Sequence, residues 1–588
     1  MELLRVSAAR GASRWQRLAV RPSNGTCRRC IRSQVAARRQ FATTRPALEK
    51  PYYVTTPIFY VNAAPHVGHM YSMVLADVLK RWQTLTGRTA LLCTGTDEHG
   101  IKVQRAAALE EVPPKQFCDD NAAKFEHLAE KALIDHDRFI RTTDEDHIAA
   151  VEYFWFLLRE KGLIYESKHA GWYCVSDECF YPEAMIEKKQ DPFTGQVFLA
   201  STETGNKVEW IEERNYHFRM TALKDKLLDF YAKNPDWIVP VSRMNEVVDW
   251  VQNHLVDLSI SRPVDRLSWG IRVPGDHTQT IYVWVDALIN YLTMAGFPNW
   301  TPGKEQDGGW PADVHVIGKD ILRFHCVYWP ALLLALDLPL PQRVLSHAHW
   351  TMDRRKMSKS LGNVVNPLFA IDRWGVDAMR FYMIYNGGIV EDSDYNNDTL
   401  LGGYKKLLQG GLGNLTNRII RSKKWSVKEA ITFVRGRGSL QDDVKGDKIM
   451  SNQVALLQSL GPKANEEMAV PNPSAALHRI MEVMTKANFL VSEKKPWELA
   501  NEPSNPDKVM ALNYSLYLAM ETLRIVGILL QPFMPSKAAE LLDILGVSED
   551  KRTFQHAQVG ADFDFGAPFL EEGKSAWETL FPPVLALN

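Results

Sequence analysis

Two short segments carry residue types that could act on a phosphorylated ligand. The first is Pro65-His66-Val67-Gly68-His69-Met70. Two imidazoles separated by Val-Gly at a helix start can face a phosphate group, and the free backbone N–H groups there add to the field. Gly68 leaves room for close approach. Taken alone, such histidines could also make only local hydrogen bonds or bind zinc. The second segment is Asp353-Arg354-Arg355-Lys356-Met357-Ser358-Lys359-Ser360, followed by Leu361-Gly362-Asn363. Its cations are Arg354, Arg355, Lys356 and Lys359, with the hydroxyls of Ser358 and Ser360 between and beyond. Such a loop suits a polyphosphate, where cations meet charge building on a leaving group. By itself it could equally be a solvated basic loop.

The elements around the first segment have the order of a parallel α/β sheet. Tyr52-Tyr53-Val54-Thr55-Thr56-Pro57 is β-rich and stopped by proline. Tyr71 to Trp82 has apolar residues at helical spacing, and Thr89 to Thr94 is a second apolar run. The latter ends in the polar tip Gly95-Thr96-Asp97-Glu98-His99-Gly100. In such sheets ligands gather at the carboxyl ends of the strands. Residues 115–165 read as helical. Residues 170–215 are aromatic and turn-rich, which predicts a small β-rich insert. Gln279 to Val285 and Asp313 to Ile317 read as two further buried strands, so the insert interrupts one domain. From about residue 400 the pattern is mostly helical, clearest over Ala475–Leu490 and Val509–Leu530. Segment 425–470 reads as polar and irregular.

The 588 residues are 45% hydrophobic and 24% charged, ordinary globular composition that excludes global disorder and a small disulfide-stapled fold. Seven cysteines at irregular spacing make a disulfide framework unlikely in pattern. No apolar run reaches 18 residues, so no membrane span is expected. The near-neutral total hides two unequal parts. Residues 1–45 hold eleven Arg, no Lys and one acidic residue, a net of +10. The other 543 residues hold 58 basic and 69 acidic side chains, a net of −11. The Arg-only, acid-poor leader reads as a mitochondrial transit peptide, which implies the matrix; the alternative is a basic arm for nucleic acid. Cys27-x-x-Cys30 falls inside it with no second pair.

Together, His66-Val67-Gly68-His69 and Lys356-Met357-Ser358-Lys359-Ser360 resemble the two signature motifs of class I aminoacyl-tRNA synthetases, and most closely those of the methionyl-tRNA synthetases of mitochondrial or bacterial type. The resemblance covers about residues 50–560. The second motif matches at all five positions; in the first, Val67 stands where Ile or Leu is commoner. The resemblance implies a Rossmann-like catalytic domain interrupted by a connective insert, then an α-helical anticodon-binding bundle. The implied boundaries are 1–45 for the leader, 46–165 and 221–395 for the two catalytic halves, 166–220 for the insert and 396–588 for the bundle.

It also implies roles for single residues. His66, His69, Lys356 and Lys359 would be catalytic. Gly68, Lys319, Asp320 and Ser358 would join them around ATP, which comes with Mg²⁺. Ile58, Tyr60, Asp97, Trp284, Ala287, Tyr291 and His325 would hold L-methionine, with Asp97 on its ammonium. An unbranched thioether needs an apolar slot with aromatic walls, and these side chains can supply one. Asn414, Arg418 and Trp497 would meet the anticodon of initiator and elongator methionine tRNAs by base-edge bonds and stacking.

Many methionyl enzymes bind zinc in the insert through paired Cys-x-x-Cys groups. Here the insert has only Cys174 and Cys179, with His169 and His217 poorly spaced, so no structural zinc is expected. No added small β-barrel follows the helical part, which makes a monomer the expectation. Rival readings are another class I synthetase, a synthetase-derived RNA-binding factor without catalysis, and a nucleotidyltransferase that handles no tRNA.

Overall fold

A computed structural model describes residues 50–191, 194–301, 303–357, 362–567 and 579–584, with the Lys356 side chain left out. The leader with its Cys-x-x-Cys, and Ser358, Lys359 and Ser360, therefore lie outside the described residues.

The core is a six-stranded, all-parallel sheet. In chain order its strands are β1 (Tyr52–Tyr60), β2 (Ala90–Asp97), β3 (Arg138–Arg141), β4 (Ile238–Val239), β5 (Val314–Gly318) and β6 (Val344–His347). In space they run β3-β2-β1-β5-β6-β4. The order turns between β1 and β5, so loops leaving those two strands diverge to opposite faces and open a crevice at their carboxyl ends.

Strand β1 does not stop at Pro57. Its pairing with β2 shifts register between Thr55 and Ile58, then resumes to Tyr60↔Asp97. A residue without an N–H is tolerated at such an irregularity. The consequence is functional: Tyr60 and Asp97 end side by side at the carboxyl edge. Helix α1 (Val67–Leu85) follows directly, and the helix α2 (Pro114–Lys131) precedes β3. Strand β3 was hidden in the expected helical stretch because Arg-Phe-Ile-Arg is a short, half-buried edge.

A second correction concerns Gln279–Val285. Asp276–Ile281 is an antiparallel strand of a separate three-stranded sheet, and Val283–Leu288 is a buried helix, α3. A short apolar run cannot by itself distinguish a buried strand from a buried helix. The insert is β-rich: Ile164–Cys174 pairs antiparallel with Glu209–Phe218 and with Cys179–Tyr181, and Ile186–Gln190 pairs with Val197–Ser201.

Beyond α4 (Val376–Asn386) the chain is largely helical. Its main members are α5 (Asn414–Ile420), α6 (Lys448–Ala469), α7 (Pro473–Lys494) and α8 (Pro506–Leu530). Segment 425–470 is thus helical, not irregular. Helix α6 buries Met450, Val454, Leu457, Leu460, Ala464 and Met468, a spacing of three and four that Gly461 and Pro462 mask in the sequence. No helix among the described residues is long and apolar enough to cross a membrane.

Candidate active site

A cavity of about 960 Å³ opens at the crevice between β1 and β5. It is walled by the end of β1, the start of α1, α3, the chain after β5, and one side of the insert.

His66 and His69 form one corner of it by capping α1. His66 is the N-cap, in extended backbone, and its Nδ1 accepts the N–H of Gly68 at 3.0 Å. Its own N–H donates to His69 Nδ1 at 3.0 Å. Both Nδ1 atoms are therefore acceptors, which places the proton of each neutral ring on Nε2. The rings stack with centroids 3.8 Å apart. Burial, reinforced by His66, pushes the His69 imidazole well below the usual histidine range, with Asp320 opposing. His69 thus presents a neutral Nε2–H donor rather than an imidazolium. Gly68 is required by this fold-back, since a Cβ there would stand 2.8 Å from His66 Cε1.

The root of the second motif reaches the same cavity. Arg355–Lys356 is a two-residue strand paired antiparallel with Trp350–Met352, and Arg355 and Met357 line the cavity with His66 and His69. Asp320 also lines it and accepts from His349 Nε2 at 3.1 Å. The structure does not bring Lys319 to this wall. Its ammonium pairs with Asp392 at 2.6 Å.

The other end of the cavity is an aromatic slot. Trp284, on α3, stacks on Phe324 with centroids 3.7 Å apart and planes 3° from parallel. His325 Nδ1 lies 3.0 Å from the Ile321 carbonyl, which only a donor can satisfy, so its Nε2 accepts the Tyr291 hydroxyl at 2.7 Å. Burial lowers the His325 pKa to about 4, which keeps that arrangement neutral. Ile58 and Ala287 complete the slot wall.

At the slot's polar end, the Tyr60 hydroxyl and Asp97 Oδ1 are buried with no hydrogen-bond partner, as is Trp284 Nε1. Burial, then the charges of Asp286 and Glu178, hold the Asp97 carboxyl well above the usual carboxylate range. Asp286 is satisfied: it accepts from His99 Nδ1 at 2.7 Å and His147 Nε2 at 2.8 Å. Burial works against its ionisation, but the two imidazoles outweigh burial and keep its carboxyl below the ordinary range. A buried carboxyl with an unpaired oxygen beside an aromatic slot is the complement of a small cation carrying an apolar tail.

The family "tRNA synthetases class I (M)" matches residues 52–420. The chain is 60% identical to "Probable methionine--tRNA ligase, mitochondrial" of Neurospora crassa, over 99% of this chain and 95% of that protein. It is 40% identical to the human "Methionine--tRNA ligase, mitochondrial", over 89% of this chain and 88% of that one. The methionyl-tRNA synthetase of Mycobacterium tuberculosis bound by methionyl-adenylate is similar in structure, with a TM-score of 0.80 and 36% identity, covering 91% of this chain and 100% of that chain.

The chain belongs to the methionyl class I aminoacyl-tRNA synthetases.

In this synthetase the three residues expected at the anticodon fall on one part of the helical region. The Arg418 guanidinium lies 5.1 Å over the Trp497 ring, and Asn414 is exposed at the start of α5. Lys424 donates to the Trp497 carbonyl at 3.4 Å, tying the loop after α5 to the same place. In the insert, Cys174 and Cys179 are register partners and His169 Nδ1 sits 3.1 Å from His217 Nε2. Among the described residues no group of three or more His, Cys, Asp or Glu could hold a metal ion.

Several wall residues of this synthetase escaped the sequence reading. Phe324 was adjacent to a chosen residue but carried no signal of its own. His347, at the end of β6, bonds Ser72 Oγ at 2.8 Å and lines the cavity; its place at a strand's carboxyl end was the available signal. Glu178 and Glu203 come from the insert, which no motif connects to the cavity.

Proposed function

We propose that the cavity seats methionine and MgATP side by side and that the residues named above carry the activation step. The chain is an enzyme, a mitochondrial-type methionine–tRNA ligase, which forms methionyl-adenylate and transfers the methionyl group to tRNA. The reading of its residues rests above all on one observation: an aromatic slot with a carboxyl that has an unpaired oxygen shares one cavity with the two-histidine corner and the root of the basic loop.

Methionine enters with its thioether between Trp284, Tyr291 and Ile58 and its ammonium on Asp97 and the Tyr60 hydroxyl. Its carboxylate is already ionised, so no protein nucleophile is needed. It attacks the α-phosphorus of ATP in line and pyrophosphate leaves. Catalysis is alignment and support of developing charge. The Nε2–H groups of His66 and His69 donate to the phosphates from one side. Lys356 and Lys359, with the Ser358 hydroxyl, meet the β and γ groups from the other, and Asp320 borders the nucleotide. A hydroxyl of the tRNA terminal adenosine then attacks the activated carbonyl and AMP leaves. Asn414, Arg418 and Trp497 read the anticodon of initiator and elongator methionine tRNAs. The enzyme works in the mitochondrial matrix as a monomer without structural zinc.

The test is ATP–pyrophosphate exchange with each of the twenty amino acids. Methionine alone should support exchange at low concentration. Equal exchange with leucine or valine would overturn the assignment of the slot.

A further inference from the structure

Glu178 belongs to the insert, in the turn between Ile164–Cys174 and Cys179–Tyr181, yet its carboxylate reaches the helix Ile101–Leu109 that follows β2. It is 2% exposed and lines the cavity. Its backbone is left-handed, φ 55°, although it is not glycine. Such strain persists where the surroundings over-determine it, and it gathers at functional sites.

What over-determines it is a pair of hydrogen bonds. Oε1 accepts the N–H of Lys102 at 2.7 Å and Oε2 accepts the Tyr173 hydroxyl at 2.8 Å. Both oxygens are acceptors in these bonds, which oppose the burial that raises the Glu178 carboxyl above the ordinary range. Lys102 is the second residue of helix Ile101–Leu109, whose N-cap is Gly100 and has no side-chain cap. Glu178 supplies from a distant segment the capping carboxylate that Gly100 lacks. Gly100 in turn closes the Asp97-Glu98-His99-Gly100 turn. A Cβ on Gly100 would lie 2.7 Å from the Tyr60 hydroxyl and 3.2 Å from Glu178 Oε1. Glu178 therefore converges on the two orphaned groups, Tyr60 and Asp97, at the polar end of the slot.

We propose that Glu178 is a positioning residue for the methionine ammonium: it pins the Asp97–Gly100 turn beside Tyr60 and makes the insert, as well as the sheet, a determinant of methionine affinity. The proposal rests on the reading of Asp97 as the ammonium's partner. Its two hydrogen bonds go to neither the residues proposed for the thioether, Trp284 and Tyr291, nor those proposed for the phosphates, His66 and His69.

The test compares Glu178→Gln with Asp97→Asn and the parent enzyme in ATP–pyrophosphate exchange. Glutamine keeps the volume but cannot accept at both oxygens. A second readout is competitive inhibition by 4-(methylsulfanyl)butanoate, which is methionine without its amino group. Glu178→Gln should raise the methionine KM about 10-fold while leaving the ATP KM and the inhibitor's Ki within about twofold. An unchanged methionine KM, with Asp97→Asn still impaired, overturns the role of Glu178 alone. An equal rise in methionine KM and inhibitor Ki also overturns it, because a merely loosened cavity would weaken both ligands. If Asp97→Asn too leaves the methionine KM unchanged, the underlying reading of Asp97 falls with it.

Discussion

On the proposed reading, Asp97 is a single side chain prepared for the methionine ammonium. Buried with Asp286 and Glu178 as charged neighbours, its carboxyl is held above the usual range until a cation arrives. A bound ammonium favours the ionised form, so binding releases a proton and affinity rises with pH. The dissociation constant for methionine should therefore increase as pH is lowered from 8 toward 5, where methionine itself does not titrate. Calorimetry in buffers of matched ionic strength measures it, and a flat profile would contradict the role of Asp97. At this scale the sequence was most legible where short motifs name their own residues. His66, His69, Trp284 and His325 were readable; the neutral state of His69 was not, because it follows from burial and a capping bond that only the fold creates. Glu178 was illegible for the same reason, since its partners are Lys102 and Tyr173 in elements that the sequence does not bring together.

Among the elements, those with one clear period were foreseen and those with mixed signals were not. Strand β1 passes Pro57 because a register shift absorbs the missing donor, and that passage puts Tyr60 opposite Asp97. Helix α6 hides its apolar stripe behind Gly461 and Pro462. The first three residues of α3 were read as the end of a strand, since its nearly all-round burial erases periodicity. The helical region makes its own prediction. The Arg418 guanidinium lies over the Trp497 ring, which is partly buried against the helical core, and on the proposed reading the pair meets an anticodon base by stacking. Trp497→Ala should reduce kcat/KM for tRNA in aminoacylation by about 10- to 100-fold, from the loss of one base–aromatic stack. Exchange without tRNA should stay within about twofold, and equal loss in both assays would show a folding defect instead.

In the whole molecule, the catalytic sheet and the helical region are joined through a buried charge. The Arg380 guanidinium on α4 is fully buried, pairs with Asp77 of α1, and donates to the carbonyls of Ala132, Pro532 and Phe533. Helix α1 thus begins at the histidine corner and is fastened along its length to the helical region, with Trp82 Nε1 on Asn465 of α6 at 2.9 Å. Asp77 keeps Arg81 at 2.8 Å and the Asp135 N–H, but the three buried carbonyls would lose their donor, so Arg380→Ala should cost about 1–3 kcal/mol in denaturant unfolding. A loss below about 1 kcal/mol would mean that the junction carries little of the stability. The parallel sheet and the helical tail were legible as classes; the Asp77–Arg380 contact spans 303 positions and has no local signature. On the proposed function, the histidine corner and the basic loop act on one bound ATP. Lys359→Ala tests it most directly, by methionine binding in a calorimeter beside methionine-dependent ATP–pyrophosphate exchange. Binding should stay unchanged within about twofold and exchange should fall at least about 100-fold, the size of a lost transition-state charge contact; exchange near the parent rate would contradict a shared ATP.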